Sequence, residues 1–277
     1  MSSSKFALPL ISLLLLLIGC EDDNNIELTD APEIPPSSTF VMDFDSFPGG
    51  GGQSDLPPLI PVKGQQTYTQ ANFNHAAFFV GFWNLAIAVN MVVPVAAYGT
   101  ALQQTAEQQP DGSWHWAFDF GAANQQYSAR LECLVDEEGF NWDMYISQDQ
   151  TIDQYHWFSG WSNLTLTEGT WTLNRSPEEP EPYIGIEWER TPATDFREIR
   201  YTNIIPDDPA NGGYIWHGIT APLAYDAFYD IYGVEENRLL ETEWNRDTQA
   251  GHVRDEVFFE DSDWHCWDEE LQDIDCP

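Results

Sequence analysis

Lysine is almost missing from this chain, occurring only at Lys5 and Lys63. All basic residues together number 10 of 277, against 46 Asp and Glu, for a formal net charge of −36 at pH 7. A field of that sign repels phosphates and anionic lipid headgroups, and it excludes nucleic acid as a partner. Signatures of chemistry are missing as well. The sequence holds no Gly-x-Ser-x-Gly, no His-Glu-x-x-His, no glycine-rich phosphate loop and no Cys-x-x-Cys, so no motif identifies a reaction, a cofactor or a metal. Aromatic residues are not scarce, at 14% of the chain. Together with abundant β-branched residues they mark a packed protein with an acidic skin, not a disordered acidic tail. Such a skin suits salt-rich or divalent-rich water, and equally any soluble extracellular surface.

Lys5 followed by the apolar run Phe6 to Ile18 reads as a secretory signal over residues 1–19, too short to span a membrane. It ends in Leu17-Ile18-Gly19-Cys20, which resembles the lipobox of bacterial lipoproteins. The resemblance implies that Cys20 is lipidated and becomes the new N-terminus, anchoring the protein to a membrane without spanning it. Glu21-Asp22-Asp23 resembles the surface-export signal of some Gram-negative lipoproteins. An outer-membrane location follows from both, at the periplasmic face or on the cell surface. Residues 20–64 are rich in Pro, Gly, Ser and acids and read as a tether, of which 40 flexible residues would reach roughly 35 Å root-mean-square. Within it, Phe40-Val41-Met42-Asp43-Phe44-Asp45 reads as an edge strand or as a segment docked on the domain that follows, residues 65–277.

No Asp, Glu, Lys or Arg occurs between Lys63 and Glu107. Inside that window His75 to Gln104 is apolar on all sides, which places a helix either in a membrane or in a core. Pro94 and two asparagines interrupt it, and no Lys or Arg cluster flanks it to set an orientation. A span here would also put the cysteine pair at the C-terminus in a reducing compartment. The expectation is one long buried helix over about 75–104, kinked or broken near Pro94.

From Ser113 the period changes to two. Trp114, Trp116, Phe118 and Phe120 alternate with small or polar residues; Ala129, Leu131, Cys133 and Val135 repeat the pattern, and Phe140, Trp142, Met144 and Ile146 return after a turn at Asp136–Gly139. Asp111-Gly112-Ser113-Trp114 and Glu168-Gly169-Thr170-Trp171 share that turn grammar. Further strands are expected over 155–160, 163–167, 183–190, 196–204, 213–219, 225–232, 238–245 and 251–260. Short connections make the strands antiparallel, so the fold class is mainly β: a long meander forming a strongly curved sheet or open barrel around the apolar helix. That architecture is similar to the half-barrel with helical plug of lipoprotein carriers of the LolA and LolB type. The Trp-Thr-Leu after Glu-Gly and the Cys-Trp-Asp near the end resemble a family of uncharacterised envelope lipoproteins, which implies no activity.

Cys133 falls on the inward phase of its strand, as a buried inert thiol. Cys266 and Cys276 are expected to form a disulfide, and the acids between them, Asp268, Glu270, Asp273 and Asp275, read as a solvated loop, since their spacing is not that of an EF-hand. The histidines at 115, 156 and 217 stand beside tryptophans and are expected on the polar, outward phase; His75, His252 and His265 complete the set. Glu187 and Glu189 flank Trp188 on one strand face and read as an outward acidic face. Trp114, Trp116, Trp142 and Trp188 fall on the apolar phase and belong to a core. The functional expectation is a non-enzymatic, membrane-anchored envelope lipoprotein that binds an apolar ligand or a partner protein. A glycan-binding module using exposed tryptophans is the alternative, and a hydrolase with an unrecognised site a third.

Overall fold

The computed structural model describes residues 30–48, 70–149, 151–220 and 224–276. The expected signal, Cys20 and much of the expected tether lie outside the described residues. Helices α1 (Ala71–Asn90) and α2 (Val92–Ala101) precede a single sheet. Its strands are β1 (Glu107–Gln108), β2 (Trp114–Ala122), β3 (Gln125–Val135), β4 (Gly139–Gln148), β5 (Ile152–Asn163), β6 (Glu168–Asn174) and β7 (Pro182–Arg190). They continue as β8 (Arg197–Asn203), β9 (Tyr214–Ile219), β10 (Ala227–Gly233), β11 (Arg238–Trp244), β12 (Gly251–Arg254), β13 (His265–Trp267) and β14 (Asp273–Ile274), with the short helix α3 (Glu256–Phe259) between β12 and β13. All 14 strands lie side by side in chain order and all pairs are antiparallel, so the sheet is an uninterrupted meander. The two end strands do not meet, and the sheet is an open one.

Its curvature follows from what the helices reach. α2 packs on β2, whereas α1 packs on β12, β13 and β14. Ten strand steps would separate β2 from β12 by roughly 48 Å in a flat sheet. Two helices of 20 and 10 residues joined with a 73° bend span only about 37 Å. The sheet therefore curls around them and turns its buried, largely aromatic face inward.

The expectation is one long helix over about 75–104, kinked or broken near Pro94, and two separate helices are found, Ala71–Asn90 and Val92–Ala101. The break is at Met91, and the bend is 73°. Pro94 explains it. A proline ring clashes with the carbonyl four residues back and offers no N–H to it, and here that carbonyl is Asn90's, which accepts instead from the Tyr183 hydroxyl at 3.2 Å. Pro94 itself sits in the first turn of α2, where a missing N–H costs nothing. No single helix among the described residues is long and apolar enough to cross a membrane, although the bent pair together meets that test.

Residues 35–47 dock on the concave side and do not extend the sheet. Phe40, Met42, Phe44 and Phe47 are buried. Backbone carbonyls of this strap accept hydrogen bonds from aromatic side chains: Tyr98 to Pro35 at 2.6 Å, Tyr201 to Phe40 at 2.7 Å, Tyr229 to Asp43 at 2.6 Å and the Trp244 indole to Ser46 at 2.8 Å. Four backbone carbonyls of the strap are thus satisfied without a neighbouring strand. Phe40 stacks on Tyr98 with centroids 4.4 Å apart, which ties strap, α2 and sheet into one aromatic core.

Two strand expectations and one turn expectation need correction. Residues 163–167 form the turn between β5 and β6, with Leu166 at φ 52°. Gly169 lies inside β6, where a Cβ would stand 2.4 Å from the Trp161 carbonyl oxygen and 2.6 Å from the Trp188 ring. Its role is close packing, not the turn that Glu168-Gly169 suggests. Residues 251–260 begin as β12 and end as α3, because the Asp255 carboxylate caps the Val257 and Phe258 amides. The Asp136 turn holds as expected, its carboxylate accepting from the Glu138 and Gly139 amides.

Candidate ligand cleft at the helix break

The end of α1, the start of α2 and the strap leave a cleft of about 610 Å³ at the concave mouth. Ile87, Ala88, Met91, Val92 and Val95 form the helical wall, and Val41 and Met42 of the strap face them. The size falls in the range of small-molecule sites, and the lining is mostly apolar. Arg197 stands at the rim, but its charge is already engaged by Asp195 and by Asp43 at 3.7 Å. Tyr201, on the floor, donates to Phe40 and accepts from the Met42 amide at 3.1 Å, and burial pushes its hydroxyl pKa up, so it stays neutral. With Asp43 and Asp45 also in the lining, the cleft offers an aliphatic helical wall, carboxylates on the strap side and no free cation to an anionic head, a setting that disfavours an anionic ligand.

A second depression, about 340 Å³, lies on the outward face of β5 to β9. One cross-strand row runs Trp161, Thr170, Glu187, Arg200, Trp216, with a tryptophan at each end. Glu168, Glu189 and Glu198 form the next row. Glu187 and Glu189 are thus outward as expected, and Glu187 pairs loosely with Arg200 at 3.8 Å. Burial, and then the charge of Glu189, raise the pKa of Glu198, which accepts a hydrogen bond from Trp216. The four tryptophans assigned to the core are in it: Trp114, Trp116, Trp142 and Trp188 are all buried.

The histidines do not converge. His115, His156, His252 and His265 each lie beside a carboxylate on their own stretch of surface. No group of three or more His, Cys, Asp or Glu among the described residues could hold a metal ion. His217 overturns the outward expectation. It is buried, lies across from Ile199 and Tyr229, and stacks on Tyr229 at 4.5 Å, while Trp216 takes the outward phase opposite Arg200 and Asp230. The polar type misled because register with neighbouring strands, not residue polarity, fixes the face. Its Nδ1–H donates to the Phe228 carbonyl, and burial lowers its pKa to about 4, so the ring is neutral.

His75 has a role no local pattern announced. At the front of α1, its Nε2 lies 2.8 Å from Asp255, whose Oδ2 also accepts from Arg238 Nε at 2.8 Å. Burial alone would raise the Asp255 pKa, but the His75 and Arg238 hydrogen bonds outweigh it and hold the carboxyl at about 2. His75 and Asp255 are each 1% exposed, and His75 stacks on Phe258 at 3.8 Å. This enclosed His–Asp pair clamps α1 to the β11–β12 end of the sheet.

Cys266 and Cys276 form a disulfide. Within their loop, Asp273 accepts from the Ala71 and Asn72 amides at 2.9 Å each, capping α1 from across the molecule, and Asp268 accepts from the Glu270 and Gln272 amides. Cys133 is a buried free thiol whose pKa desolvation raises. No protein-family model matches this chain, and no curated protein or solved structure is significantly similar to it.

Proposed function

We propose that this protein is an exported envelope lipoprotein, held to the outer membrane through lipid on Cys20, that binds an uncharged apolar ligand without chemical turnover in the cleft at the helix break. The observation that carries the reading is the cleft itself: about 610 Å³ with an aliphatic wall from Ile87 to Val95, and with the strap acids Asp43 and Asp45 also in its lining. The test uses the chain from Glu21 onward, which contains every described residue, titrated with the fluorescent apolar probe N-phenyl-1-naphthylamine. Saturable enhancement at one site, lost when Ala88→Trp fills the cleft, is expected; enhancement that does not saturate, or that survives in Ala88→Trp, overturns the reading. The anchor is tested separately in cells by palmitate labelling, which Cys20→Ser should abolish.

A second reading places a glycan along the outward depression, with sugar rings stacked on Trp161 and Trp216 and hydroxyls on the glutamates between them. The favouring observation is the single row that puts a tryptophan at each end, four strand steps or roughly 19 Å apart, the length of a short oligosaccharide. Retention on immobilised polysaccharide columns that Trp161→Ala and Trp216→Ala both abolish would replace the first reading with this one.

A further inference from the structure

We infer that the exposed face of α1 rests on the surface of a neutral bilayer, so that the cleft opens toward lipid. Phe82, Leu85 and Val89 are 57%, 44% and 68% exposed. At 100° per residue they fall within an arc of about 60° on the helix. Val92 beyond the break and Val41 on the strap, also exposed, continue this surface to the cleft. On the other side Phe82 and Trp83 border a smaller apolar hollow of about 250 Å³ against Ile231 and Leu240. A contiguous apolar surface of this kind on a soluble fold marks an interaction site.

The chain's own layout names the occupant. Cys20 precedes Asp30, the first described residue, by ten positions, and the strap that follows lines the same cleft as Ala88 and Val92. Ten residues span at most about 36 Å even when fully extended. A lipid on Cys20 therefore brings this side of the molecule to the bilayer. Along the helix charge agrees: the window from Lys63 to Glu107 carries no acidic residue, whereas Asp43 and Asp45 on the strap side of the cleft and the rest of the surface would be held off by anionic headgroups. α1 then lies in the interface plane without spanning it. The inference rests on the reading of Cys20 as the anchor, and its test is independent of that reading.

The non-lipidated chain from Glu21 onward is co-sedimented with phosphatidylcholine vesicles. Binding is expected, weakened about tenfold or more by the double variant Leu85→Asp and Val89→Asp. Adding phosphatidylglycerol should weaken it further, the reverse of what a basic interfacial helix does. Neither Leu85 nor Val89 lines the cleft, so the double variant should keep its N-phenyl-1-naphthylamine site, while Ala88→Trp should keep vesicle binding. Absent vesicle binding, or binding that the double variant leaves unchanged, overturns the inference. So does a concentration-dependent dimer in sedimentation velocity that the double variant abolishes, since a second copy would then be the occupant.

Discussion

α1 and α2 both lack Asp, Glu, Lys and Arg and neither has an apolar stripe, yet the fold treats them differently. α2 carries small residues, Ala97 and Ala101, that let it sit directly on β2, and its Tyr98 is enclosed by Phe40, Phe158 and Trp171. α1 is held mainly at its front end, by His75 on Asp255 and by the Asp273 cap, and farther along it leaves Phe82, Leu85 and Val89 in the open. Two helices with no amphipathic stripe thus reach opposite outcomes. Without a stripe the sequence cannot specify a face, and what each side of such a helix meets is decided by the sheet and strap around it.

The comparison can be broken most severely at α2. Tyr98→Ala removes a buried ring and leaves the Pro35 carbonyl without its donor, and a loss of about 3 to 5 kcal/mol is expected in urea unfolding, with release of the strap. A loss below about 1 kcal/mol would mean that α2 is no more deeply seated than α1.

At α1 the corresponding change is Asp255→Ala, which strips partners from buried His75 and from Arg238. It should cost about 3 kcal/mol and raise amide exchange in α1 more than in α2.

Acid should separate the helices further. His75 has a folded pKa below its ordinary value, chiefly through burial, so the unfolded chain binds the extra proton and the clamp weakens as pH falls below about 6.5. Asp255, held at about 2, contributes above its ordinary pKa and loses that contribution only as pH falls through about 2. Burial raises the Tyr98 hydroxyl pKa, so α2 has no such sensitivity. Hydrogen exchange at pH 7 and pH 5 should therefore show α1 loosening first; equal change in both helices would assign the acid response elsewhere, with His217 the alternative.

A smaller effect is expected at the cap. Asp273→Ala should cost about 1 kcal/mol and fray the first turn of α1. Least of all, Val89→Ser should alter stability by less than about 0.5 kcal/mol, as an exposed position does; a large loss would mean that this face is covered.

Much of the sheet was legible because alternation is a local property. Trp114 to Phe120, Ala129 to Val135 and Phe140 to Ile146 each declare a strand, and the Asp136 turn between the last two declares their pairing. Legibility failed where a residue's setting comes from a neighbour far away in sequence. Gly169 looks like a turn glycine until the Trp188 ring is seen to occupy its side-chain space. His217 looks outward until Tyr229 and Ile199 fix its phase. Of the candidate site, only the apolar window and the Pro94 break were visible in advance; the strap wall formed by Val41 and Met42 was open to two readings, an edge strand or a docked segment.

By itself the sequence determined the acidic skin, the meander and the disulfide loop, because charge count, period-two alternation and short connections act within a few residues of themselves. Tertiary structure alone decided that Asp255 and Asp273 hold α1 from 180 and 202 residues away, and that the strap's carbonyls find aromatic donors in place of a strand. A helix apolar on every side and an extended segment rich in phenylalanine both demand burial without saying against what, and only the curvature of the sheet supplies the answer.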